Sequence, residues 1–300
     1  ALDLMTQTIS GEELNPMAAS VLDAFSLEEK VAVITGGGGA LCGAIAVALG
    51  SIGTKVAILD LNLERAEITA ARIEKTGGDA IAMACNVLNA DELESCHELI
   101  IKKWGSVGLL IPGAGGNDPR GSTDQEFLTL SEHLPGNTQG FFDLDLAGFR
   151  HVFDLNFLGT FLTIKTFSKS MVSQGQGSIV NISSMSALTP LTKVAAYSAA
   201  KAAVSNFTQW LAVHFSQVGI RVNAIAPGFF MTEQLRFLHV DQETGELSER
   251  AQKVIAHTPL GRYGEPEDLL GAVIWLLSDA SKFVTGVVVP IDGGFSAYTI

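Results

Sequence analysis

A stretch without any charge, from Val31 to Thr54, is the feature that most limits the folds open to this chain. Its 24 residues would be long enough to cross a bilayer as a helix. Seven of them are glycine, however, and four of these are consecutive, from Gly36 to Gly39. Because glycine is a poor helix former, a continuous spanning helix is disfavoured. The stretch instead predicts a strand, a glycine loop and a buried helix.

Short apolar runs alternate with helical patterns along most of the chain. The runs typical of strands cover 31–35, 55–60, 80–85, 108–112, 178–183, 221–226 and 286–291, and the helical patterns cover about 40–53, 64–76, 91–104 and 198–218. This alternation predicts an α/β fold, a Rossmann-type doubly wound parallel sheet with helices on both faces. Since no linker marks a second domain, we expect one domain over 27–300 after an N-terminal extension at 1–26.

Charge and cysteine content narrow the classes of partner. Nineteen Lys and Arg against 32 Asp and Glu give a net charge of −13, which repels nucleic acid. The N-terminus lacks the basic and apolar regions of a signal peptide, so we expect neither export nor a membrane partner. Three cysteines with no metal or disulfide spacing indicate reduced thiols in the cytoplasm, and the histidines show no metal-ligand spacing either.

Two long segments interrupt the alternation, at 113–148 and 228–262. Both follow the carboxyl ends of predicted strands, where sheets of this kind bind ligands. Loops of this length in a compact domain are usually functional. We therefore predict that they are substrate loops, with surface decoration as the alternative.

The glycine loop indicates a dinucleotide site. Thr35 and the four glycines after it follow a strand and open a helix, so the backbone can approach a pyrophosphate at the helix N-terminus. Asp60 ends the second strand, where a carboxylate can accept hydrogen bonds from ribose hydroxyls. It would repel the extra phosphate of NADP, and Leu61 and Asn62 offer no cation, so the pattern favours NAD. A tight turn beside an ordinary strand-end acid remains the alternative.

Tyr197 and Lys201 are four residues apart on one helix, and therefore share a face. A free phenol has a pKa of about 10, and a nearby ammonium is expected to lower it. Ser184 follows the strand at 178–183, and its hydroxyl can hydrogen-bond a reacting carbonyl. The three residues together predict proton exchange with a carbonyl or alcohol. A buried tyrosine beside a solvated lysine is the alternative.

From about Leu27 to its end, the chain resembles the short-chain dehydrogenase/reductase family. The resemblance rests on the glycine loop, Asp60, Gly113-Ala114-Gly115, Asn156, Ser184, Tyr197 with Lys201, and Pro227-Gly228. It implies a NAD-binding catalytic domain that transfers hydride between NAD(H) and an alcohol or ketone. The implied catalytic residues are Asn156, Ser184, Tyr197 and Lys201. The resemblance implies that Asn156 holds a water, Ser184 polarises the carbonyl, Tyr197 is the general acid/base and Lys201 binds the nicotinamide ribose. The implied cofactor-binding residues are Thr35, Gly36, Gly38, Gly39, Leu41, Asp60, Asn86, Val87, Gly113, Ala114, Gly115, Tyr197, Lys201, Pro227, Gly228 and Thr232.

The chain departs from the family pattern around the cofactor. The family's glycine pattern would place glycine at positions 40 and 42, where this chain has Ala40 and Cys42. The family's Asn-Asn-Ala-Gly becomes Pro112-Gly113-Ala114-Gly115, and Asn86 stands where an aspartate is usual. These changes bear on cofactor affinity more than on the type of reaction.

Within the family, the chain looks most similar to members that act on sugar acids, of the D-mannonate oxidoreductase (fructuronate reductase-like) and gluconate 5-dehydrogenase types. A sugar acid is an anion and the chain is acidic, so binding requires a local cation. Lys193 is the first candidate, followed by Arg120 and Arg236, although each could equally be a surface charge. A polyol, a steroid-like ring, a 3-oxoacyl thioester or a silent NAD-binding regulator are the alternatives. The resemblance also implies a homotetramer or homodimer joined through the helix of Trp210.

Overall fold

The computed structural model describes residues 16–129, 138–232 and 246–299. Within the N-terminal extension, helix α1 spans Pro16–Asp23, and residues 1–15 lie outside the described part. The two long segments at 113–148 and 228–262 are described except for residues 130–137 and 233–245.

Seven strands form one parallel sheet, which confirms the predicted α/β fold. They are β1 (Val31–Thr35), β2 (Lys55–Asp60), β3 (Ala80–Ala84), β4 (Leu109–Pro112), β5 (Gly177–Ile182), β6 (Ile220–Pro227) and β7 (Val288–Ile291). Their order across the sheet is β3-β2-β1-β4-β5-β6-β7. Strand order reverses between β1 and β4, where Thr35 pairs with Pro112. In doubly wound sheets, ligands bind outside the carboxyl ends of the strands at this point.

Helices cover both faces of the sheet. They are α2 (Ala40–Ser51), α3 (Leu63–Lys75), α4 (Ala90–Trp104), α5 (Leu146–Phe153), α6 (Gly159–Gln174), α7 (Ala195–His214), α8 (Glu249–His257) and α9 (Leu270–Leu277). Strand β1 shows how the two layers arise, because alternate residues of a strand point to opposite faces. Ala32 and Ile34 join a core with α2, α3 and α9, whereas Val31 and Val33 join a second core with α4, α6 and α7.

Helices α5, α6, α8 and α9 were not predicted from the sequence pattern, and α5 begins inside the segment at 113–148 that was predicted to be a loop. Helix α6 buries Thr163, Thr166, Ser168 and Ser170, so hydroxyl side chains occupy its inner face and hide the apolar periodicity. The segment at 228–262, predicted to be a loop, contains α8, which begins after Ser248 with a side-chain cap on the N–H of Ala251. Helix α9 is apolar on nearly all sides and begins directly after a short helical turn at Pro266–Leu269.

In the described residues, no helix combines the length and the apolar character that a membrane span requires. The same part of the chain holds no group of three or more His, Cys, Asp or Glu side chains placed to bind a metal ion.

Candidate active site

A cleft of about 440 Å³ opens at the carboxyl ends of β1 and β4. Glycine is required at its entrance, because Gly36 has φ +68° and a Cβ there would lie 2.9 Å from the backbone of Ala114. Gly39 precedes helix α2 without any side-chain cap. The first N–H groups of α2 therefore stay available to an anion in the cleft. Predicted cofactor residues that line the cleft are Gly36, Gly39, Leu41, Asp60, Asn86, Val87, Gly113, Ala114, Gly115, Tyr197 and Lys201.

The Asp60 carboxylate closes one end of this cleft. Its two oxygens accept hydrogen bonds from the N–H groups of Gly38 and Asn62, each at 2.9 Å. Each oxygen keeps a second lone pair for a hydroxyl donor. Gly38 itself packs against Arg65, with a hypothetical Cβ only 2.6 Å from the Cβ of that arginine. Arg65 also lines the cleft, a cation that the sequence reasoning missed because it considered only Leu61 and Asn62.

Thr35 supports the cleft from below. Its side chain is buried, and its hydroxyl oxygen accepts hydrogen bonds from the N–H groups of Gly113 at 3.1 Å and Ala114 at 3.2 Å. In the structure this predicted cofactor residue holds the loop after β4 in place.

The Cys42 side chain lies against Gly113 beneath the cleft, in the space that a side chain at position 113 would need. A Cβ at Gly113 would lie 2.2 Å from the Cys42 Sγ and 2.9 Å from the Thr35 carbonyl oxygen. The larger residue at position 42 is therefore accommodated because position 113 is glycine. Burial raises the pKa of the Cys42 thiol to about 12, so it stays protonated and acts as a packing group.

The predicted catalytic residues meet at the other end of the cleft. Lys201 is buried, its Nζ donates to the carbonyl oxygen of Ile182 at 2.8 Å, and it lies 5.6 Å from the centre of the Tyr197 ring. Ser184 lies at the end of β5, before a short helical turn at Met185–Ala187.

The pKa of the Tyr197 phenol shifts opposite to the sequence-based prediction, which expected Lys201 to lower it. Burial raises the pKa of the Tyr197 phenol above its usual value, and the Ser184 hydroxyl opposes that rise. Burial also lowers the pKa of the Lys201 ammonium to about 8. Both shifts disfavour the charged form of a buried group, as desolvation requires. The phenol is therefore protonated near neutral pH.

Asn156 is fully buried in a π-helical turn, Asp154–Leu158, between α5 and α6. Its Nδ2 donates to the carbonyl oxygens of Gly116 at 2.7 Å and Val152 at 2.8 Å, and its Oδ1 accepts from the Gly116 N–H at 3.2 Å. A Cβ at Gly115 would lie 2.6 Å from this Oδ1 and 3.3 Å from the Lys201 Nζ, so Asn156 and Lys201 flank the same glycine. Turns of this type are frequent at functional sites.

The predicted cofactor residues Pro227 and Gly228 lie beside β7. Pro227 ends β6 and pairs with Ile291, and the Gly228 N–H donates to the Ile291 carbonyl oxygen at 2.9 Å. Thr232 is the last residue described before position 233.

The three predicted substrate cations differ in their surroundings. The Arg120 guanidinium donates to the Asp118 carboxylate at 2.7 Å, lies 3.6 Å from Asp145, and holds the pKa of Asp118 at about 2. Lys193 makes no ion pair within the described residues and has φ +73°, a backbone conformation rare for a side-chain-bearing residue. Its carbonyl oxygen accepts from the Thr123 N–H at 2.9 Å. Arg236 lies outside the described residues.

Comparison with known proteins places this geometry in context. A family profile described as enoyl-(acyl carrier protein) reductase matches residues 39–296. An uncharacterised oxidoreductase, UxuB, from Bacillus subtilis is 50% identical over 91% of this chain and 97% of its own. A crystal structure with bound NAD from Haemophilus influenzae, provisionally assigned as a D-mannonate oxidoreductase, is 49% identical over 91% and 97% of the two chains, with a TM-score of 0.87. The 7alpha-hydroxysteroid dehydrogenase of Escherichia coli is 30% identical over 91% and 96%.

Proposed function

Because the chain belongs to the short-chain dehydrogenase/reductase family, we propose that it interconverts a secondary alcohol and a ketone on a sugar acid of the D-mannonate/D-fructuronate type, with NAD as cofactor. The observation that carries this proposal is that Tyr197 and Lys201 line one cleft with the glycine loop, while the Ser184 hydroxyl hydrogen-bonds the Tyr197 phenol. The NAD-bound structure from Haemophilus influenzae, at 49% identity, supports both the cofactor and the substrate class.

The residues of the cleft fit a dinucleotide. The close approach of Gly36 to Ala114 and the uncapped start of α2 leave a cradle of backbone N–H groups for a pyrophosphate. Asp60 would accept hydrogen bonds from the adenosine ribose, and Lys201 would donate to the nicotinamide ribose. When bound, NAD supplies the hydride acceptor for oxidation, and NADH the hydride donor for reduction.

The chain's own residues handle the proton. Tyr197 takes the proton from the substrate hydroxyl during oxidation and returns it during reduction. Ser184 donates a hydrogen bond to the oxygen that becomes the carbonyl. Lys201, held by the Ile182 carbonyl, lies beside the Tyr197 ring, where its positive charge stabilises a developing phenolate.

Lys193 is the residue we propose to bind the substrate carboxylate. It precedes the catalytic helix by two residues, and its strained backbone is held by the first long segment through Thr123. Arg120 is a poorer candidate, because Asp118 and Asp145 already neutralise it. In a chain of net charge −13, an anionic substrate requires a cation such as Lys193, for which the described residues provide no ion-pair partner.

The alternatives make different demands on the site. A neutral polyol or steroid ring would not need Lys193. A 3-oxoacyl thioester on an acidic carrier protein would need a basic surface, and the net charge of −13 disfavours this substrate. A silent NAD-binding regulator would not need Ser184 and Tyr197 together at the cleft.

The decisive experiment is an NAD-dependent oxidation screen across aldonates, uronates, polyols and hydroxysteroids, with a matching NADH screen on their ketones and on a 3-oxoacyl thioester. We expect turnover of a sugar acid in preference to neutral substrates, and Tyr197→Phe should lower kcat by about 10²- to 10⁴-fold while NAD binding remains. Tight NAD binding with no turnover of any carbonyl or alcohol would favour the regulator. Preferred turnover of a steroid or thioester would contradict the sugar-acid assignment.

Replacing Lys193 by methionine tests the carboxylate contact. We expect Lys193→Met to raise KM for the sugar acid about tenfold or more, because one charge-assisted hydrogen bond is lost, with little change for a neutral alcohol. Lys282→Met removes an exposed lysine elsewhere and serves as the control. An unaltered KM in Lys193→Met would remove this residue from the role.

We further propose a homotetramer or homodimer that works in the cytoplasm. Helices α6 and α7 present Phe161, Trp210 and Val213 to solvent, next to a stack of Phe207 on Trp210 and of Trp210 on His214. Burying this aromatic face between subunits would remove it from water. Three free, buried thiols are compatible with a reducing compartment. Light scattering of the purified protein, compared with Val213→Lys, tests the assembly.

A further inference from the structure

The hydrogen bonds around Ser184 single out a second serine, Ser186, for which the mechanism so far gives no role. Ser186 is 1% exposed, so it cannot touch a substrate, whereas Ser184, at 8%, keeps an edge at the surface. The Ser184 Oγ accepts two hydrogen bonds, from the Ser186 N–H at 3.2 Å and from the Ser186 hydroxyl at 3.0 Å.

These two bonds restrict what Ser184 can do. A serine hydroxyl has two acceptor lone pairs and one donor hydrogen. Since Ser186 occupies both lone pairs, the remaining capacity of Ser184 is to donate its own hydrogen. Donation is the role that polarises a carbonyl oxygen in the transition state. The direction in which Ser184 shifts the pKa of the Tyr197 phenol, downward, agrees with a hydroxyl that donates toward this end of the cleft.

Capping of the local turn does not account for the second bond. Ser184 caps the short helical turn at Met185–Ala187, and the backbone N–H of Ser186 already satisfies that cap. The turn is closed separately by the Ala187 N–H, which donates to the Ser184 carbonyl oxygen at 3.0 Å. The bond from the Ser186 hydroxyl is therefore additional, and Ser184 is its acceptor.

We propose that Ser186 is a positioning residue that fixes Ser184 as a hydrogen-bond donor toward the reacting carbonyl oxygen. The proposal rests on the alcohol/ketone reaction proposed above, and it does not depend on which alcohol is the substrate. It is therefore tested on whichever member of the substrate panel the wild-type enzyme turns over fastest.

The first variant is Ser186→Ala, which removes the hydroxyl and keeps the backbone N–H. We expect kcat to fall about tenfold, the effect of one misdirected hydrogen bond, with a smaller change in KM. Before substrate binds, the Ser184 hydrogen is directed toward the phenol, so the apparent pKa that governs kcat/KM for oxidation should move upward in this variant. Ser186→Thr keeps a hydroxyl at this position and should recover most of the loss in kcat.

A double-mutant cycle distinguishes positioning from a general structural effect. In a Ser184→Ala background, Ser186→Ala should cause no further loss of kcat, because the group through which it acts is gone. Ser281→Ala is the matched control, since Ser281 is also 1% exposed and its hydroxyl donates to Leu276 and Ser278, both at 3.1 Å. It should lower thermal stability as Ser186→Ala does and leave kcat and the pH profile unchanged.

Three results would overturn the proposal. These are an unchanged kcat in Ser186→Ala, an equal loss in the presence and absence of the Ser184 hydroxyl, or an equal loss in Ser281→Ala. Failure of the sugar-acid assignment would appear separately, as preferred turnover of another panel member by the wild-type enzyme.

Discussion

Replacing Gly113 by alanine would force a second side chain into the space that Cys42 occupies. The added Cβ would lie 2.2 Å from the Cys42 Sγ and 2.9 Å from the Thr35 carbonyl oxygen, both closer than real contacts allow. Gly113 has no positive φ, so the cost is steric and not a matter of backbone conformation. Overpacking of this kind costs about 1–3 kcal/mol, and two severe contacts place Gly113→Ala at the upper end. Because the loop lines the cleft, NAD affinity should fall as well.

The double variant tells whether Cys42 is the cause. Cys42→Gly alone should destabilise by about 1–2 kcal/mol, since it removes a buried thiol and places a third glycine in α2. Combined with Gly113→Ala, it should be less destabilising than the two separate effects added together, by about 1 kcal/mol or more. Recovery should be incomplete, because the contact with Thr35 remains.

Urea unfolding and NAD titration by fluorescence measure both quantities on the same four proteins. Gly116→Ala is the control, because a Cβ there would have Leu155 as its nearest neighbour at 3.9 Å. It should therefore cost less than Gly113→Ala. Strict additivity of Cys42→Gly and Gly113→Ala in the free energy of unfolding would refute the steric coupling.

Two further predictions concern charge. Burial lowers the pKa of Lys201 to about 8, so between this value and the usual lysine pKa the unfolded chain binds more protons than the folded one. The buried ammonium therefore lowers the free energy of unfolding at pH 7, and this loss becomes smaller as the pH rises. Lys201→Met should raise the free energy of unfolding at pH 7 by up to about 3 kcal/mol, with a smaller gain at pH 10, although it should abolish turnover. A gain in the free energy of unfolding that is equal at the two pH values would contradict this. Asp60→Ser removes the carboxylate and leaves the Arg65 cation in the cleft, so the ratio of kcat/KM for NADP to kcat/KM for NAD should rise at least tenfold. An unchanged ratio would show that Asp60 does not set the cofactor preference.

The sequence allowed most of the sheet to be predicted, and the errors have identifiable causes. Strands β1 and β2 were predicted to the residue, because both are buried on two faces and read as continuous apolar runs. Helix α6 escaped notice because Thr163, Thr166 and Ser170 face the core, and hydroxyl residues do not register as an apolar stripe. The π turn at 154–158 has no signal in the local sequence, because it occurs where the Asn156 side chain hydrogen-bonds the backbone of Gly116, 40 residues away.

In the candidate site, residue spacing predicted which side chains come together, but the protein environment of those side chains could not be predicted. Spacing along the chain was sufficient to select Ser184, Tyr197 and Lys201, because a strand end and one helix face determine which side chains converge. The direction of their pKa shifts was not predictable, since it depends on how completely the surrounding layers remove water. Burial raises the pKa of the Tyr197 phenol, against the direction that the neighbouring Lys201 predicted. Ser184 opposes that rise, so we expect the proposed carbonyl polariser to influence proton transfer as well.

Charge selection at the substrate end depends on neighbours that sequence distance does not reveal. The sequence ranks Lys193 ahead of Arg120 only because Lys193 lies four residues before Tyr197. Asp145 lies 25 residues after Arg120, and the two meet because the Asp145 N–H, just before α5, donates to the Arg120 carbonyl oxygen at 3.1 Å. Two carboxylates therefore face one guanidinium. No carboxylate within the described residues approaches Lys193 in this way. In an acidic protein, the cations available to an anionic substrate are those that the protein's own carboxylates leave unpaired, and this criterion selects Lys193 over Arg120.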